Sequence, residues 1–370
     1  MLPIQQRENR GWAIAPIRNV FLHVTKACNL RCEYCYFSAR KPLPNEMSAA
    51  EFARLWPELT RIRPAKVVFT GGEPLLRPDI FDLLGGLKEA DPQHNILRCL
   101  NSNGHLVTRA LALRLVGLAD EVRVSLDALR ERNDSLRGRG NFEAAMQAID
   151  TYYAVGFEPK VLITITTVSL PDLEQLLIVL FRKRITRIKF NLLRLIGRGG
   201  GHSEWMADPL SVAAILQRAW KRCHPDKPMD LEPPEVGVEP QCNCGVGQFL
   251  NIMPNGDVFP CHVLVDPAFR CGNIREESLV SICQRGGFLD RLKGLDFAQL
   301  ADQHQGLTLL KTNKVCMGSV YAETKSLSVW NENILLTTGT EREIRIRCRD
   351  DSGVTSESSG RNPNTSSSLE

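Results

Sequence analysis

The chain lacks any run of eighteen apolar residues, and its opening, Met1 to Arg10, lacks the apolar stretch of an export signal. Neither a spanning helix nor a secretory leader is expected, so a cytoplasmic location without a membrane partner is the default. It also lacks a dominant charge, because 46 basic residues against 42 acidic ones leave a formal net charge of +4. That balance offers no footprint for a phosphate backbone, and nucleic acid is set aside as a partner. Extremes of composition are missing too. With 43% hydrophobic and 24% charged residues the chain sits near the globular average, which excludes disordered and fibrous classes.

What stands out is cysteine. Twelve of them in 370 residues, with no export signal, point to metal or cluster ligation before disulfides, since a reducing compartment keeps thiols apart. Two regions have close spacing, Cys28 to Cys35 and Cys242 to Cys261. Cys99, Cys223, Cys283 and Cys348 have none and read as small buried hydrophobes.

From Val20 to about Arg194, short β-branched runs alternate with longer amphipathic stretches, the pattern of strand-helix units around a parallel sheet. Six strands are expected: Val20 to Val24, Lys66 to Thr70, Ile96 to Asn101, Glu121 to Leu126, Lys160 to Thr167 and Arg187 to Leu193. Helices are expected to begin near Ser48, Pro78, Thr108, Asn141 and Pro171, where capping residues or a first-turn proline precede periodic apolar positions. After the sixth strand, Gly197 to Gly201 reads as a flexible run before a helix from Pro209 to about Cys223. Pro225 to Pro240 reads as a linker. Beyond it, Phe249 to Met253 and Val258 to Pro260 flank an Asn255-Gly256 turn and form an expected hairpin in a small second module. The serine-rich residues from Asp351 are expected to be disordered.

The first strand leads into Cys28-Asn29-Leu30-Arg31-Cys32-Glu33-Tyr34-Cys35, three thiols in one loop at a strand's C-terminal end, the edge where parallel α/β folds build their sites. Three thiolates would leave one iron of a four-iron cube open to another ligand. The alternatives are a structural zinc site, which wants a fourth ligand that is not close in sequence, and unligated core thiols.

The Cys28-x3-Cys32-x2-Cys35 spacing, with Tyr34 before the last cysteine, resembles the signature of the radical S-adenosylmethionine superfamily. Thr70-Gly71-Gly72-Glu73-Pro74 resembles the family's Gly-Gly-Glu-Pro motif, and Asn101-Ser102-Asn103-Gly104 its Thr-Asn-Gly segment. Ser125-Leu126-Asp127 and Arg137-Gly138 resemble elements of its peptide-modifying branch.

The resemblance implies an α/β fold, a partial (β/α)6 TIM-like barrel with a small C-terminal auxiliary-cluster module. It implies a [4Fe-4S] cluster on Cys28, Cys32 and Cys35, S-adenosylmethionine beside Tyr34, and Gly71, Gly72 and Glu73 at its amino group. Ser125 and Arg137 are implied at the methionine carboxylate, with Asn103 or Asp127 near the ribose. Glycines let backbone approach a ligand and a carboxylate complements an ammonium, so the residue types agree.

Cys244, eleven residues, Gly256, four residues and Cys261 resemble the opening half of a SPASM or twitch module, and Gly272-Asn273-Ile274 resembles a later part of it. The second half departs from the pattern, since Leu307, Leu310 and Val320 stand where cysteines would be and only Cys316 remains. One auxiliary cluster is implied on Cys244 and Cys261, with Cys242 or Cys271 as further ligands; the alternative is a remnant without metal. The organisation is then a core barrel over 14–224, a linker over 225–240, a degenerate module over 241–325 and a tail over 326–370.

The implied activity is reductive cleavage of S-adenosylmethionine to a 5′-deoxyadenosyl radical that abstracts hydrogen from a substrate. A peptide or protein side chain is the first substrate class, and a small molecule such as a tetrapyrrole or antibiotic precursor the second. A non-catalytic iron-sulfur or zinc scaffold is the reading from another class. An external one-electron reductant of the flavodoxin or ferredoxin type is implied as a partner. Since only about twenty residues precede the first strand, a leader-peptide-binding protein would be a separate chain.

Overall fold

The computed structural model describes residues 17–185, 187–225, 230–232, 249–284 and 345–347. Six parallel strands, β1 (Asn19–Thr25), β2 (Lys66–Gly71), β3 (Leu97–Ser102), β4 (Glu121–Ser125), β5 (Lys160–Ile165) and β6 (Ile188–Leu192), lie side by side in chain order. The expected strands appear, each lengthened, shifted or trimmed by a residue or two at its ends.

Each strand buries alternate residues under a helix. Val20, Leu22 and Val24 of β1 are fully buried, and Val67 and Phe69 of β2 continue that face through the pairs Val20 to Val67 and Leu22 to Phe69. The covering helices are α1 (Ala49–Ala53), α2 (Leu55–Ile62), α3 (Ile80–Ala90), α4 (Arg109–Leu115), α5 (Arg130–Arg137), α6 (Asn141–Ala154), α7 (Leu173–Arg182) and α8 (Pro209–Cys223). They contribute Phe52, Trp56, Leu59, Leu84, Leu87, Ile149, Leu177 and Trp220 to one continuous core. Each such side chain contributes roughly 1.5–3 kcal/mol of burial. Ser48 starts α1 with a capping box to Glu51, and Thr108 accepts from the Leu111 amide at the start of α4.

The opposite face of the sheet is polar. The register places His23 beside Thr70, Asn101 beside Arg123, Arg123 beside Lys160, Ser125 beside Leu162 and Thr164 beside Asn191. At its lower end Glu121 is gripped by Arg123 at 2.5 Å, Lys160 at 2.9 Å and Arg187 at 2.5 Å. That cluster neutralises charge that could not be buried unpaired.

Beyond a short antiparallel pair, β7 (Asp230–Glu232) with β11 (Arg345–Arg347), the expected hairpin forms as β8 (Phe249–Ile252) and β9 (Asp257–Phe259). Its place was not anticipated. β8 lies parallel against β1, pairing Asn19 with Phe249 through Leu22 with Ile252, and β10 (Gly272–Asn273) follows β9. The result is one unclosed sheet of nine strands, with β6 and β10 at its edges. Helix α9 (Leu279–Gln284) packs beside α2, where the Glu58 carboxylate accepts from the Val280 amide at 3.1 Å.

Two expectations change. The helix from Ser48 is split at Arg54 into α1 and α2. The segment 197–201 is a 3₁₀ turn and not a flexible run, because Gly197 and Gly199 are pressed against the cysteine loop. Among the described residues no helix is long and apolar enough to cross a membrane.

Candidate functional site

The loop after β1 carries three half-buried free thiols, Cys28, Cys32 and Cys35, to the C-terminal edge of the sheet. Backbone bonds fold it back on itself: the Cys28 amide donates to Arg40, Arg40 to Lys26, and Cys35 to Cys32. The thiols feel one another electrostatically, and burial pushes Cys28 up and Cys32 up to about 11. Among the described residues no three His, Cys, Asp or Glu side chains are grouped to hold a single metal ion. A cluster makes a different demand, since it presents a separate iron to each thiolate. The donor set fits a cluster of iron and sulfur: three cysteines and no carboxylate in the eight-residue loop beyond Glu33.

The Gly71-Gly72 turn after β2 is built around this loop. Gly71 has φ +127°, and a Cβ on Gly72 would stand 2.0 Å from the Ala27 carbonyl oxygen. The Gly72 amide donates to Thr25 and the Glu73 amide to Ala27, both at 2.8 Å. Glu73 is 1% exposed, and its carboxylate accepts from the Asn103 amide at 2.8 Å and the Leu75 amide at 3.2 Å. Burial raises its pKa to about 7 against the pull of those donors. Its carboxylate thus ties the β2 and β3 loops together. Asn103 reaches from β3 to the cysteine loop, its Nδ2 donating to Asn29 at 2.8 Å and lying 4.0 Å from the Cys28 sulfur.

Tyr34, Asp127 and Arg137 converge. Arg137 grips Asp127 through Nε at 2.5 Å and Nη2 at 3.0 Å, and the Tyr34 hydroxyl donates to the same carboxylate. Burial opposes the charge on Arg137, yet Asp127, Tyr34 and Cys32 outweigh it and hold its pKa above the ordinary value. Burial likewise drives Tyr34 well upward, keeping its hydroxyl a donor. Ser125 stands half-exposed at the end of β4.

Arg198 and Gly197 were missed. The Arg198 amide donates to Cys35 at 3.0 Å, and its guanidinium to the carbonyls of Cys32 at 2.8 Å and Ala39 at 3.2 Å. Gly197 has φ +58° and would bring a Cβ within 2.3 Å of the Tyr36 carbonyl. A glycine run straight after a strand was the available signal, for it marks close backbone approach as readily as looseness.

Of the second cysteine set, Cys261 is buried in the main core with its sulfur accepting from the Leu264 amide at 3.3 Å, and Cys271 is half-buried nearby in chain order after β9. Cys242, Cys244, Cys316 and positions 307, 310 and 320 lie outside the described residues. The Gly272-Asn273-Ile274 segment works as a clasp, Asn273 donating to Asp257 at 2.9 Å and to the Asn255 carbonyl at 3.2 Å.

Residues 22–177 match the Radical SAM superfamily model, and 242–305 match an iron-sulfur cluster-binding domain, SPASM. The chain is 33% identical over 202 residues to Fe-coproporphyrin III synthase of Methanosarcina barkeri, covering 54% of this chain and 49% of that protein. It is 30% identical over 265 residues to the mycofactocin maturase MftC of Mycobacterium tuberculosis, covering 68% and 66%. The chain therefore spans about half to two thirds of the length of these relatives. Among solved structures, Streptococcus suis SuiB bound to S-adenosylmethionine superposes with a TM-score of 0.69 at 17% identity, over 87% of this chain and 78% of that one. The fold is the partial barrel of such enzymes. The chain belongs to the radical SAM superfamily, in the branch that joins the radical SAM domain to a SPASM domain, and its cofactors are a [4Fe-4S] cluster and S-adenosylmethionine.

Proposed function

We propose that Cys28, Cys32 and Cys35 hold the [4Fe-4S] cluster and that the enzyme starts a radical reaction on a peptide or protein side chain. The observation that carries this is the loop of three free thiols pressed against the Gly71-Gly72 turn at the sheet's C-terminal edge. When bound, the cluster supplies the electron that cleaves S-adenosylmethionine to methionine and a 5′-deoxyadenosyl radical.

The chain's own residues position and exclude. Gly71 and Gly72 bring bare backbone beside the thiols for the methionine end of the ligand, and Glu73 holds that backbone in place from beneath. Ser125 is the polar side chain left at the strand ends, since Asp127 and Arg137 are bound to each other and Asn103 to Asn29. The polar inner face, with Thr70, Asn101, Thr164 and Asn191, is where a substrate would meet the radical away from bulk water.

A peptide substrate is supported by the maturase relative and by SuiB, which has been solved bound to the precursor peptide SuiA. A tetrapyrrole is the second reading, favoured by the synthase relative. Cys244 and Cys261, with Cys242 or Cys271, are proposed to hold an auxiliary cluster within the SPASM match. A flavodoxin- or ferredoxin-type reductant supplies electrons, and the reducing cytoplasm suits these thiols.

Anaerobic reconstitution followed by assay for 5′-deoxyadenosine tests the core reading: turnover is expected in the wild type and absent in Cys32→Ala. Equal product from both would refute it. Incubation with a precursor peptide encoded beside this gene, against a tetrapyrrole precursor of iron coproporphyrin III, separates the two substrate classes.

A further inference from the structure

Asp127 and Arg137 form a buried ion pair against the cysteine loop. Asp127 is 0% exposed and Arg137 7%. Besides the two bonds from the guanidinium, the Asp127 carboxylate accepts from the Tyr34 hydroxyl and from the Thr164 amide at 2.7 Å. Four donors fill the roughly four acceptor positions of a carboxylate. The helix that carries Arg137 also runs into the loop itself: the Leu136 carbonyl accepts from the Glu33 amide at 2.9 Å, and the Arg137 carbonyl lies 3.8 Å from the Cys32 sulfur. The guanidinium stands 5.6 Å from the Tyr34 ring centre. Both charges act on Cys32, the cation favouring negative charge on the sulfur and the anion opposing it.

A buried pair of this kind is weak as a source of stability, because desolvation offsets its attraction. Its placement suggests another use. In a low-dielectric surrounding a unit charge acts strongly at short range, and cluster potentials follow the charge and hydrogen bonding around the sulfurs.

We propose that the Asp127–Arg137 pair sets the reduction potential of the primary cluster, with Tyr34 as the latch that fixes the pair against the Cys32 corner. This rests on the assignment of that cluster to Cys28, Cys32 and Cys35. Reduction adds negative charge to the cluster, so the sign of each change follows. Removing the anion alone leaves a cation that favours the reduced form, and the potential rises. Removing the cation alone leaves an anion, and the potential falls. Removing both returns it towards the starting value.

The test is a redox titration followed by electron paramagnetic resonance on the full chain, anaerobically reconstituted and free of S-adenosylmethionine, with iron and sulfide measured for each variant. Asp127→Asn is expected above the wild type, Arg137→Gln below it, and the double variant between the two. Shifts of the same sign in both single variants, or none, would mean the pair is only structural and would overturn the proposal. Should Asp127→Asn fail to assemble a cluster, Arg137→Lys decides: it keeps the cation and is expected closer to the wild type than Arg137→Gln. Equal potentials for those two would also overturn it. If Cys32→Ala retains the iron of the wild type, the cluster assignment itself is wrong, a failure seen in metal content and not in potential.

Discussion

Gly72 shows how little room the site leaves at the level of a single residue. With the Ala27 carbonyl oxygen 2.0 Å from where a Cβ would stand, Gly72→Ala must push apart two loops that the Thr25 and Ala27 carbonyls hold together. A loss of more than about 1 kcal/mol is expected where backbone cannot yield, read as a lower Tm together with lower iron content after reconstitution. The three cysteines and the two glycines were legible in the sequence because ligand spacing and close backbone approach are local properties. The Asp127–Arg137 pair was not. The two residues are ten apart, joined by a helix within a charged run, Arg130 to Arg139, that resembles any solvated surface. Only the packing of α5 beneath Tyr34 turns Arg137 inward and gives Asp127 its partner.

Among the elements, the 3₁₀ turn at 197–201 braces the cysteine loop at Tyr34, Cys35 and Tyr36, while the Gly71-Gly72 turn meets it at Ala27. Gly197→Val places a branched side chain at φ +58° against the Tyr36 carbonyl. The expected outcome is a chain with unchanged far-ultraviolet circular dichroism that takes up less iron, because the core strands do not depend on this turn. Arg198→Ala, which removes the bonds to the Cys32 and Ala39 carbonyls, is expected to act in the same direction more weakly. β8 is the other element whose role lay beyond local pattern. Its hairpin was readable from the Asn-Gly turn, but its parallel docking on β1 depends on Leu250 and Ile252 continuing the buried face of Val20 and Leu22.

For the whole molecule, the ion cluster around Glu121 joins β4, β5 and the start of β6 at the lower end of the polar face. Burial would raise the Glu121 pKa, but Arg123, Lys160 and Arg187 together hold it at about 2. A carboxylate depressed in the folded state adds stability at pH values above its unfolded value, about 4.3. That contribution fades as the pH falls from there towards 2. Denaturant unfolding at several pH values is expected to show this acid loss, with a shallower dependence in Glu121→Gln. At neutral pH the same variant leaves three cations facing a neutral amide and is expected to cost roughly 3–5 kcal/mol, as for a broken buried pair.

The sequence by itself determined the strand-helix alternation, the cysteine loop and its glycine-rich partner, and the hairpin around Asn255-Gly256, because each follows from periodicity or spacing within a few residues. Tertiary structure alone decided which polar groups meet. Glu73 serves Asn103 and Asp127 serves Arg137 and Tyr34, while Arg198 serves the carbonyls of Cys32 and Ala39. A buried polar group must find a partner wherever packing brings one, and that choice is made across the sheet and not along the chain.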